Sequence, residues 1–141
     1  MKAETIFSIA NTLALAGWIL LLFVPRWDWT RKIVISGAIP LLLSVAYLVL
    51  IVLFFGKADG GFDSLANVMK LFTNEWAVLA GWIHYFAFDL FVGSWQVKDA
   101  QEKGVSHWFV IPCLALTFLL GPIGFLLYHI IRFFAAKGEK K

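Results

Sequence analysis

The sequence holds a single cysteine and few charged residues. One cysteine, Cys113, cannot form an internal disulfide or a cysteine-based metal site. Asp, Glu, Lys and Arg make up 15% of the 141 residues, against about 25% in soluble domains. Hydrophobic residues make up 61%, and the mean hydropathy is +0.82. These values exclude an ordinary soluble domain, and at this length they predict one membrane domain over residues 1–141.

Several binding motifs are also absent from the sequence. It has no glycine-rich phosphate loop, no internal repeat and no basic stripe with interleaved aromatic residues. The net charge of +3 comes from 12 Lys and Arg against 9 Asp and Glu, and most of the excess follows Tyr128. Such a distribution is typical of a membrane flank. We therefore expect the lipid bilayer as a partner, and no nucleic acid.

Four apolar segments are long enough to cross a membrane, since about 20 helical residues cover about 30 Å. They lie at about residues 5–25, 33–56, 76–97 and 108–134. The first is longer than the apolar part of a signal peptide, so we interpret it as a span. Pro40 predicts a kink near the start of the second, and the Gly121-Pro122 step breaks the fourth. The fold class predicted is all-α, an integral membrane four-helix bundle.

The segment between the second and third spans is too polar to cross. Its hydrophobic residues recur at helical spacing, and either Asp63 or Ser64 can cap the helix that they predict. Those hydrophobic residues are Phe62, Leu65, Met69 and Phe72. We expect a short amphipathic helix at the membrane interface there, and a disordered basic tail over residues 136–141.

Four spans place both termini on one side of the membrane. Seven positive residues then fall on the terminal side and five on the other, which favours cytoplasmic termini. Since a bundle of four helices is thin, we also expect a homo-oligomer. The predicted location is a bacterial inner membrane or a thylakoid membrane.

Polar residues inside the spans are the candidate site residues. At about 1.5 Å per residue, four of them share a level about 8 to 14 Å from the terminal side, and Asp89 lies deeper, at about 20 Å, near the Gly121-Pro122 break. The four are Asn11, Tyr47, His84 and His129. An ionised aspartate at that depth costs about 2.5 to 3.5 kcal/mol, so Asp89 should be protonated, paired or in a wet cavity.

Each of these residues also has a purely structural interpretation. Pro122 leaves the carbonyl of Phe118 without its helical donor, so a protonated Asp89 could cap it. His84 could be a neutral histidine bonded to Asn11 or Tyr47. Arg132 could pair with Glu75 or extend to lipid headgroups. His84 and Asp89 are about 140° apart around the helix, so they are not an adjacent pair.

Two further predictions concern ligands. His84 and His129, if they lie at one depth, would be enough to ligate a haem. No other cofactor and no metal-ion site is predicted. Trp82 and Trp95 could stack on a flat or polyene ligand.

The runs HYFAFDLFVG and GPIGFLLY, within a pattern that covers nearly the whole chain, resemble the abscisic-acid-deficient-4-like family. The resemblance implies a small four-helix membrane protein, and the plant members of that family are needed to convert violaxanthin into neoxanthin. Plant members carry a chloroplast transit peptide, which is not visible here, so we expect a prokaryotic member.

What the resemblance implies for activity is an intramolecular isomerase that opens an epoxide on a carotenoid or other isoprenoid lipid. Asp89 would be the acid and His84 the base. The residues expected around the substrate are Asn11, Tyr47, Glu75, Trp82, Tyr85, Trp95, His129 and Arg132. The alternatives are a protein that binds a carotenoid, quinone or haem without transforming it, and a structural subunit of a membrane complex.

Overall fold

The computed structural model describes the backbone of residues 2–138 and the side chains of residues 2–135, and its regular structure is all helical. The long helices are α1 (Ala3–Phe23), α3 (Ala38–Phe54) and α5 (Glu75–Glu102). Shorter helices are α2 (Asp28–Thr30), α4 (Leu65–Leu71), α6 (His107–Leu120) and α7 (Pro122–Gly138). A π-helical turn, Arg31–Ile35, precedes α3, and a 3₁₀ turn, Phe55–Lys57, follows it.

Three helical segments are long and apolar enough to cross a membrane. They are Ala3–Phe23, Asp28–Lys57 and Glu75–Glu102, so the first three predicted spans are confirmed as apolar helices of spanning length. The helices α6 and α7 are apolar but shorter. Many large hydrophobic side chains of α1 and α3 are exposed, among them Leu41 and Val52. Exposed side chains of this kind are expected of helices that face hydrocarbon rather than water.

Local sequence explains where several helices begin. The Asn74 side chain accepts hydrogen bonds from the backbone N–H groups of Trp76 and Ala77 at 2.9 and 3.2 Å, which caps α5. Ser64 accepts from the N–H of Asn67 and caps α4, so that alternative of the predicted cap is confirmed. Pro40 lies in the first turn of α3, where its missing N–H costs no helical hydrogen bond.

The helix α5 lies at the centre and packs against α1, α3 and α6. Two small residues allow this. A Cβ on Gly93 would lie 2.7 Å from the Trp18 ring, and a Cβ on Gly17 would lie 2.9 Å from Leu90. Gly93 therefore lets α1 approach α5 closely. The end of α5 at Glu75 is called the lower end below, and the end at Glu102 the upper end.

The helices α6 and α7 form a tight hairpin around Gly121, whose φ of 40° lies in the left-handed region. A Cβ on Gly124 would collide with the backbone N of Thr117 and the carbonyl O of Cys113, so only glycine lets α7 lie against α6. The hairpin starts at the upper end, where His107 Nε2 lies 2.9 Å from the carbonyl O of Leu22.

The hairpin also ends at the upper end. Arg132 of α7 pairs with Asp99 near the upper end of α5. The hairpin covers only part of the bundle, because the 14 residues of α6 span about 21 Å and the 28 of α5 about 42 Å. The segment predicted as a fourth crossing, 108–134, therefore folds back on itself. It does not supply the fourth crossing helix that the predicted four-helix bundle requires.

The two ends of the described chain consequently lie at opposite ends of the bundle. Ala3 lies beside Glu75 at the lower end, whereas Arg132 lies at the upper end. The prediction that both termini share one side is wrong. It assumed that the Gly121-Pro122 step only kinks a crossing helix, whereas in the structure this step reverses the direction of the chain. The helix α7 continues to Gly138, into the predicted tail, and residues 139–141 lie outside the described residues.

The short helix predicted between the second and third spans is present as α4, of seven residues. Its Leu71 is buried, whereas the predicted hydrophobic residues Phe62, Leu65 and Met69 are exposed. The ring of Phe72, directly after α4, contacts Gly81 of α5. The chain directly after α4 therefore contacts the lower part of α5.

Candidate functional site

Asp89 of α5 lies against the turn of the hairpin. A Cβ on Gly121 would come within 3.0 Å of Asp89 Oδ1, so the carboxyl group is in contact with the glycine backbone. The prediction that Asp89 and the Gly121-Pro122 break share one height is confirmed. Asp89 Oδ2 is buried and has no hydrogen-bond partner in the described part of the chain. A buried polar atom without a partner is uncommon, and it marks this carboxyl group as the first candidate for function.

The carbonyl group that Pro122 leaves free is satisfied by Tyr85. The Tyr85 hydroxyl, one turn below Asp89 on α5, donates to the carbonyl O of Phe118 at 2.6 Å. The structural role considered for Asp89, capping of this carbonyl, therefore belongs to Tyr85. Tyr85 fixes the hairpin turn against α5, and Asp89 remains without that partner.

The face of α5 that carries Asp89 is covered above it and open below it. At about 100° per residue, Gln96 and Trp82 both lie within about 20° of the direction of Asp89. Gln96 is fully buried and donates to Thr117 Oγ1 at 3.0 Å, whereas Trp82 is 43% exposed. The hairpin ends at the height of Asp89, which explains the change. This strip of α5 is called the lower groove below. Val78 and Trp82 line a pocket there with residues of α1, and Tyr85 and Asp89 follow on the same face of α5 toward the hairpin turn.

A second carboxyl group, Asp99, lies near the upper end of α5 and is almost fully buried. Its Oδ2 accepts a hydrogen bond from the Tyr128 hydroxyl at 2.7 Å and lies 3.1 Å from Arg132 Nε. Its Oδ1 lies 3.8 Å from Lys103 Nζ. Asp99 lies beyond the end of the third predicted span, at residue 97, although its four-residue spacing from Lys103 is a helical ion-pair signal. This cluster fastens the base of the hairpin.

Three predicted site residues lie elsewhere than expected. Arg132 pairs with Asp99 and not with Glu75, which is exposed at the opposite end of α5. Asn11 is exposed on α1. His129 lies at the upper end, where it stacks on Trp95 with ring centroids 5.3 Å apart. The reversal of the chain at Gly121 explains both errors for α7, since each depth was counted for a helix that crosses.

His84 faces a different side of α5 from Asp89. Its ring lies 5.5 Å from that of Tyr47 on α3 and 4.8 Å from that of Phe88. Since Asp89 faces the hairpin, the predicted acid and base do not meet in one pocket. His84 lies beside Tyr47 in the lower part of α5, whereas His129 lies beside Trp95 toward the upper end, so the two histidines predicted to ligate a haem do not lie at one level. Over residues 2–138, the structure contains no group of three or more His, Cys, Asp or Glu suited to a metal ion.

A cavity of about 250 Å³ lies between the lower parts of α3 and α5. This lower cavity is bounded by α4 and by the segment that joins α3 to it. Its ring-bearing lining residues are Tyr47, Phe54, Phe55, Phe62, Phe72, Trp76 and His84. Tyr47 and His84 were predicted to share a level, and their contact in this cavity confirms it.

Together these features define a class of protein. It is a small helical protein with helices suited to a membrane, a hairpin of partial depth and, at the hairpin turn, a carboxyl group with one buried oxygen that has no partner in the described chain. The chain belongs to the ABA4-like family, because the family model described as ABA DEFICIENT 4-like matches residues 5–128. The resemblance found in the sequence is thereby confirmed, and the matched residues include both Asp89 and the hairpin turn.

One curated relative gives the degree of similarity. The chain is 21% identical over 138 residues to "Protein ABA DEFICIENT 4, chloroplastic" from Arabidopsis thaliana. The match covers 92% of this chain and 61% of that protein. No solved structure matches the chain.

Proposed function

We propose that this protein is an integral membrane protein that acts on an oxygenated isoprenoid lipid of carotenoid type, with Asp89 as the proton donor. The observation that supports the proposal is the buried, unpartnered Oδ2 of Asp89 at the closed end of the lower groove. The family suggests the class of lipid, since the relative named above belongs to it.

The lower groove suits a long apolar substrate. Trp82 and Val78 are exposed along it, so a polyene chain can lie on α5 from the lower end up to the hairpin turn. An oxygen at the leading end of that chain would then meet Asp89. Inside hydrocarbon a carboxyl group is far less costly in its neutral form, and a neutral carboxyl group carries the proton that an acid catalyst needs.

The reaction proposed is an isomerisation of the neoxanthin type. Asp89 protonates an epoxide oxygen, the carbon–oxygen bond breaks, and the adjacent polyene carbon loses a proton to leave an allene and an alcohol. No co-substrate is needed, because one proton is taken up and one is released. Since His84 faces α3, it has no part in this step, and the Asp89 carboxylate can take up the released proton. Tyr85 is a positioning residue that holds the turn at Phe118.

The location proposed is a bacterial inner membrane or a thylakoid membrane, with the upper end on the cytoplasmic or stromal side. The side chains described over residues 2–135 include three positive residues at the lower end: Lys2, Lys57 and Lys70. They include six toward the upper end: Arg26, Arg31, Lys32, Lys98, Lys103 and Arg132. The bias of Lys and Arg toward the inner side then places the upper end inside.

Conversion of violaxanthin by the purified protein in lipid nanodiscs tests the proposal. Chromatography of the extracted pigments should show an allenic product with the wild type. Asp89→Asn should lower the rate by about 10²-fold or more, the usual contribution of a general acid. Asp63→Asn, at an exposed carboxylate of the lower loop, is the matched control. Full conversion by Asp89→Asn would overturn the assignment of the acid.

The alternative function is binding of a lipid without chemistry, and the lower cavity is the observation that favours it. Under this alternative, violaxanthin or a related lipid would co-purify with the protein and remain unchanged. Mass spectrometry of lipids extracted from the purified wild type and from Asp89→Asn separates the two functions. A catalyst accumulates substrate in the variant, whereas a binding protein gives the same lipid in both.

A further inference from the structure

The lower cavity lies apart from the groove that leads to Asp89. It is lined by α3 on one side and by Trp76, Gly81 and His84 of α5 on the other, whereas Asp89 faces the hairpin. A ligand in this cavity would therefore not contact the Asp89 carboxyl group. Binding there would be a second property of the protein, beyond the function proposed for Asp89.

Much of the cavity lining is aromatic, and two of its rings stack on each other. Phe54 of α3 and Trp76 of α5 stack with ring centroids 4.0 Å apart and an interplanar angle of 7°. Gly81 gives room for the Phe72 ring, since a Cβ there would lie 3.0 Å from it. Aromatic walls favour a planar ring, because rings stack face to face or with an offset.

One end of the cavity carries polar groups that have no partner. Tyr47 and His84 approach from two helices, with their rings 5.5 Å apart. Neither the Tyr47 hydroxyl nor the His84 ring makes a hydrogen bond to any residue that the structure describes. Both groups can donate a hydrogen bond, and a carbonyl oxygen can accept two. In a membrane the lining would gain most from a ligand that supplies such an acceptor.

The volume limits the part of a ligand that enters. An engineered cavity of about 150 Å³ is enough for benzene. At about 250 Å³, the lower cavity accepts one substituted ring and excludes the rest of a long lipid. We propose that the lower cavity binds the carbonyl-bearing six-membered ring of a lipid, with the ring against the aromatic lining and its oxygen at Tyr47 and His84.

Two kinds of lipid offer that chemistry, a prenylated quinone and a carotenoid with a keto group on its end ring. Decylubiquinone and canthaxanthin serve as the two probes, and decylbenzene, which has a ring and a tail but no carbonyl group, is the control ligand. Each is titrated into the purified full chain in detergent. Quinones and carotenoids both quench tryptophan fluorescence, and Trp76 is in the cavity wall.

Saturable quenching is expected with one of the two probes, which identifies the source of the ring. The quenching should depend on Trp76, so Trp76→Phe should remove most of it and Trp108→Phe, at an exposed upper-end position, should not. Tyr47→Phe and His84→Phe should each weaken binding by about 2- to 10-fold, the range for one lost hydrogen bond. Asp89→Asn should leave the titration unchanged.

Three results would overturn the proposal. They are the absence of saturable quenching with both probes, competition by decylbenzene equal to that of the probe, and unchanged binding in both Tyr47→Phe and His84→Phe. Tyr47→Phe removes only a hydroxyl group that bonds to no described residue, so it should fold as the wild type does. Because the readout is binding, its failure leaves the Asp89 chemistry untouched, and loss of activity in Asp89→Asn leaves this cavity untouched.

Discussion

Asp89 and Asp99 lie ten residues apart on α5, and both contact the α6–α7 hairpin, yet their surroundings are opposite. Asp99, at the base of the hairpin, has Tyr128, Arg132 and Lys103 around it. Asp89, at the turn, has a buried oxygen with no partner in the described chain. The difference teaches that the hairpin supplies polar partners to a carboxyl group at its base and leaves one oxygen of the carboxyl group at its turn without a partner in the described chain.

The polar groups within reach of each carboxyl group explain why Asp99 has partners and Asp89 Oδ2 has none in the described chain. A carboxylate near the end of α5 can be reached by long cationic side chains and by a tyrosine of α7. At the hairpin turn the neighbouring backbone is Gly121 followed by Pro122, which offers no N–H to Asp89. The Tyr85 hydroxyl lies close to the Asp89 carboxyl group, and it donates a hydrogen bond to the carbonyl O of Phe118.

The largest expected effect is the labelling of single cysteines from one side of the membrane, which tests the hairpin and should be all or none. In a Cys113→Ser background, single cysteines at Ser106 and Phe134 should react with a membrane-impermeant maleimide from the same side of the membrane. A cysteine at Asp59, near the lower end, should react from the other side. A fourth crossing helix would place 134 with 59 instead. By the positive-residue bias, Asp59→Cys should be the one labelled in intact cells.

Loss of the paired carboxylate should have the largest effect on stability. Asp99→Ala leaves Arg132 and the buried Tyr128 hydroxyl without their partner, and breaking such a cluster costs about 3 kcal/mol. The free energy of unfolding in mixed micelles measures it. Glu102→Ala, at an exposed acidic residue of the same helix, should change it by less than about 0.5 kcal/mol. Equal effects of the two substitutions would show that the cluster does not fasten the hairpin.

The next largest loss of stability is expected from a substitution in the contact between α6 and α7. Gly124→Ala places a methyl group against the backbone of Thr117 and Cys113, and such overpacking costs about 2 kcal/mol. Gly56→Ala is the matched control, since a Cβ there has no atom within 4 Å. Because Gly124 is next to the turn and distant from Asp99, the variant should also disturb Asp89 and reduce activity. If Gly124→Ala changed neither the free energy of unfolding nor the activity, α6 and α7 would have to lie further apart than the structure shows.

The sequence predicts much of this fold, and its main failure, the fourth crossing, has one cause. Hydropathy counts apolar residues, so it located α1, α3 and α5, and it also marked 108–134 as long enough to cross. A hydropathy pattern does not show whether the chain continues or turns back at Gly121. That direction depends on a positive φ, which glycine adopts more easily than other residues. The common height of Asp89 and the Gly121-Pro122 step was predicted correctly, and α5 passes that step without interruption. The depth of His129 was not, because its helix returns.

The site was predicted in part for a related reason. An aspartate in an apolar run is visible in sequence, so Asp89 could be found. Its surroundings come from residues distant in sequence, and the hydrogen bond from Tyr85 to Phe118 joins residues 33 positions apart. Asp99 was missed because the predicted third span ended at residue 97, two residues before it, while α5 continues to Glu102.

The smallest expected effect on stability is the one that tests the comparison most directly. Asp89→Asn keeps the shape of the side chain, and Oδ2 has no hydrogen bond in the described chain to lose, so the free energy of unfolding should change by less than about 0.5 kcal/mol. The same substitution at Asp99 loses the charge that faces Arg132 and Lys103 and should cost about 1.5 to 3 kcal/mol. Paired unfolding measurements on the two variants check both values. If Asp89→Asn is the more destabilising of the two, Asp89 has a structural partner in the folded protein, and the assignment of function to the unpaired carboxyl group fails.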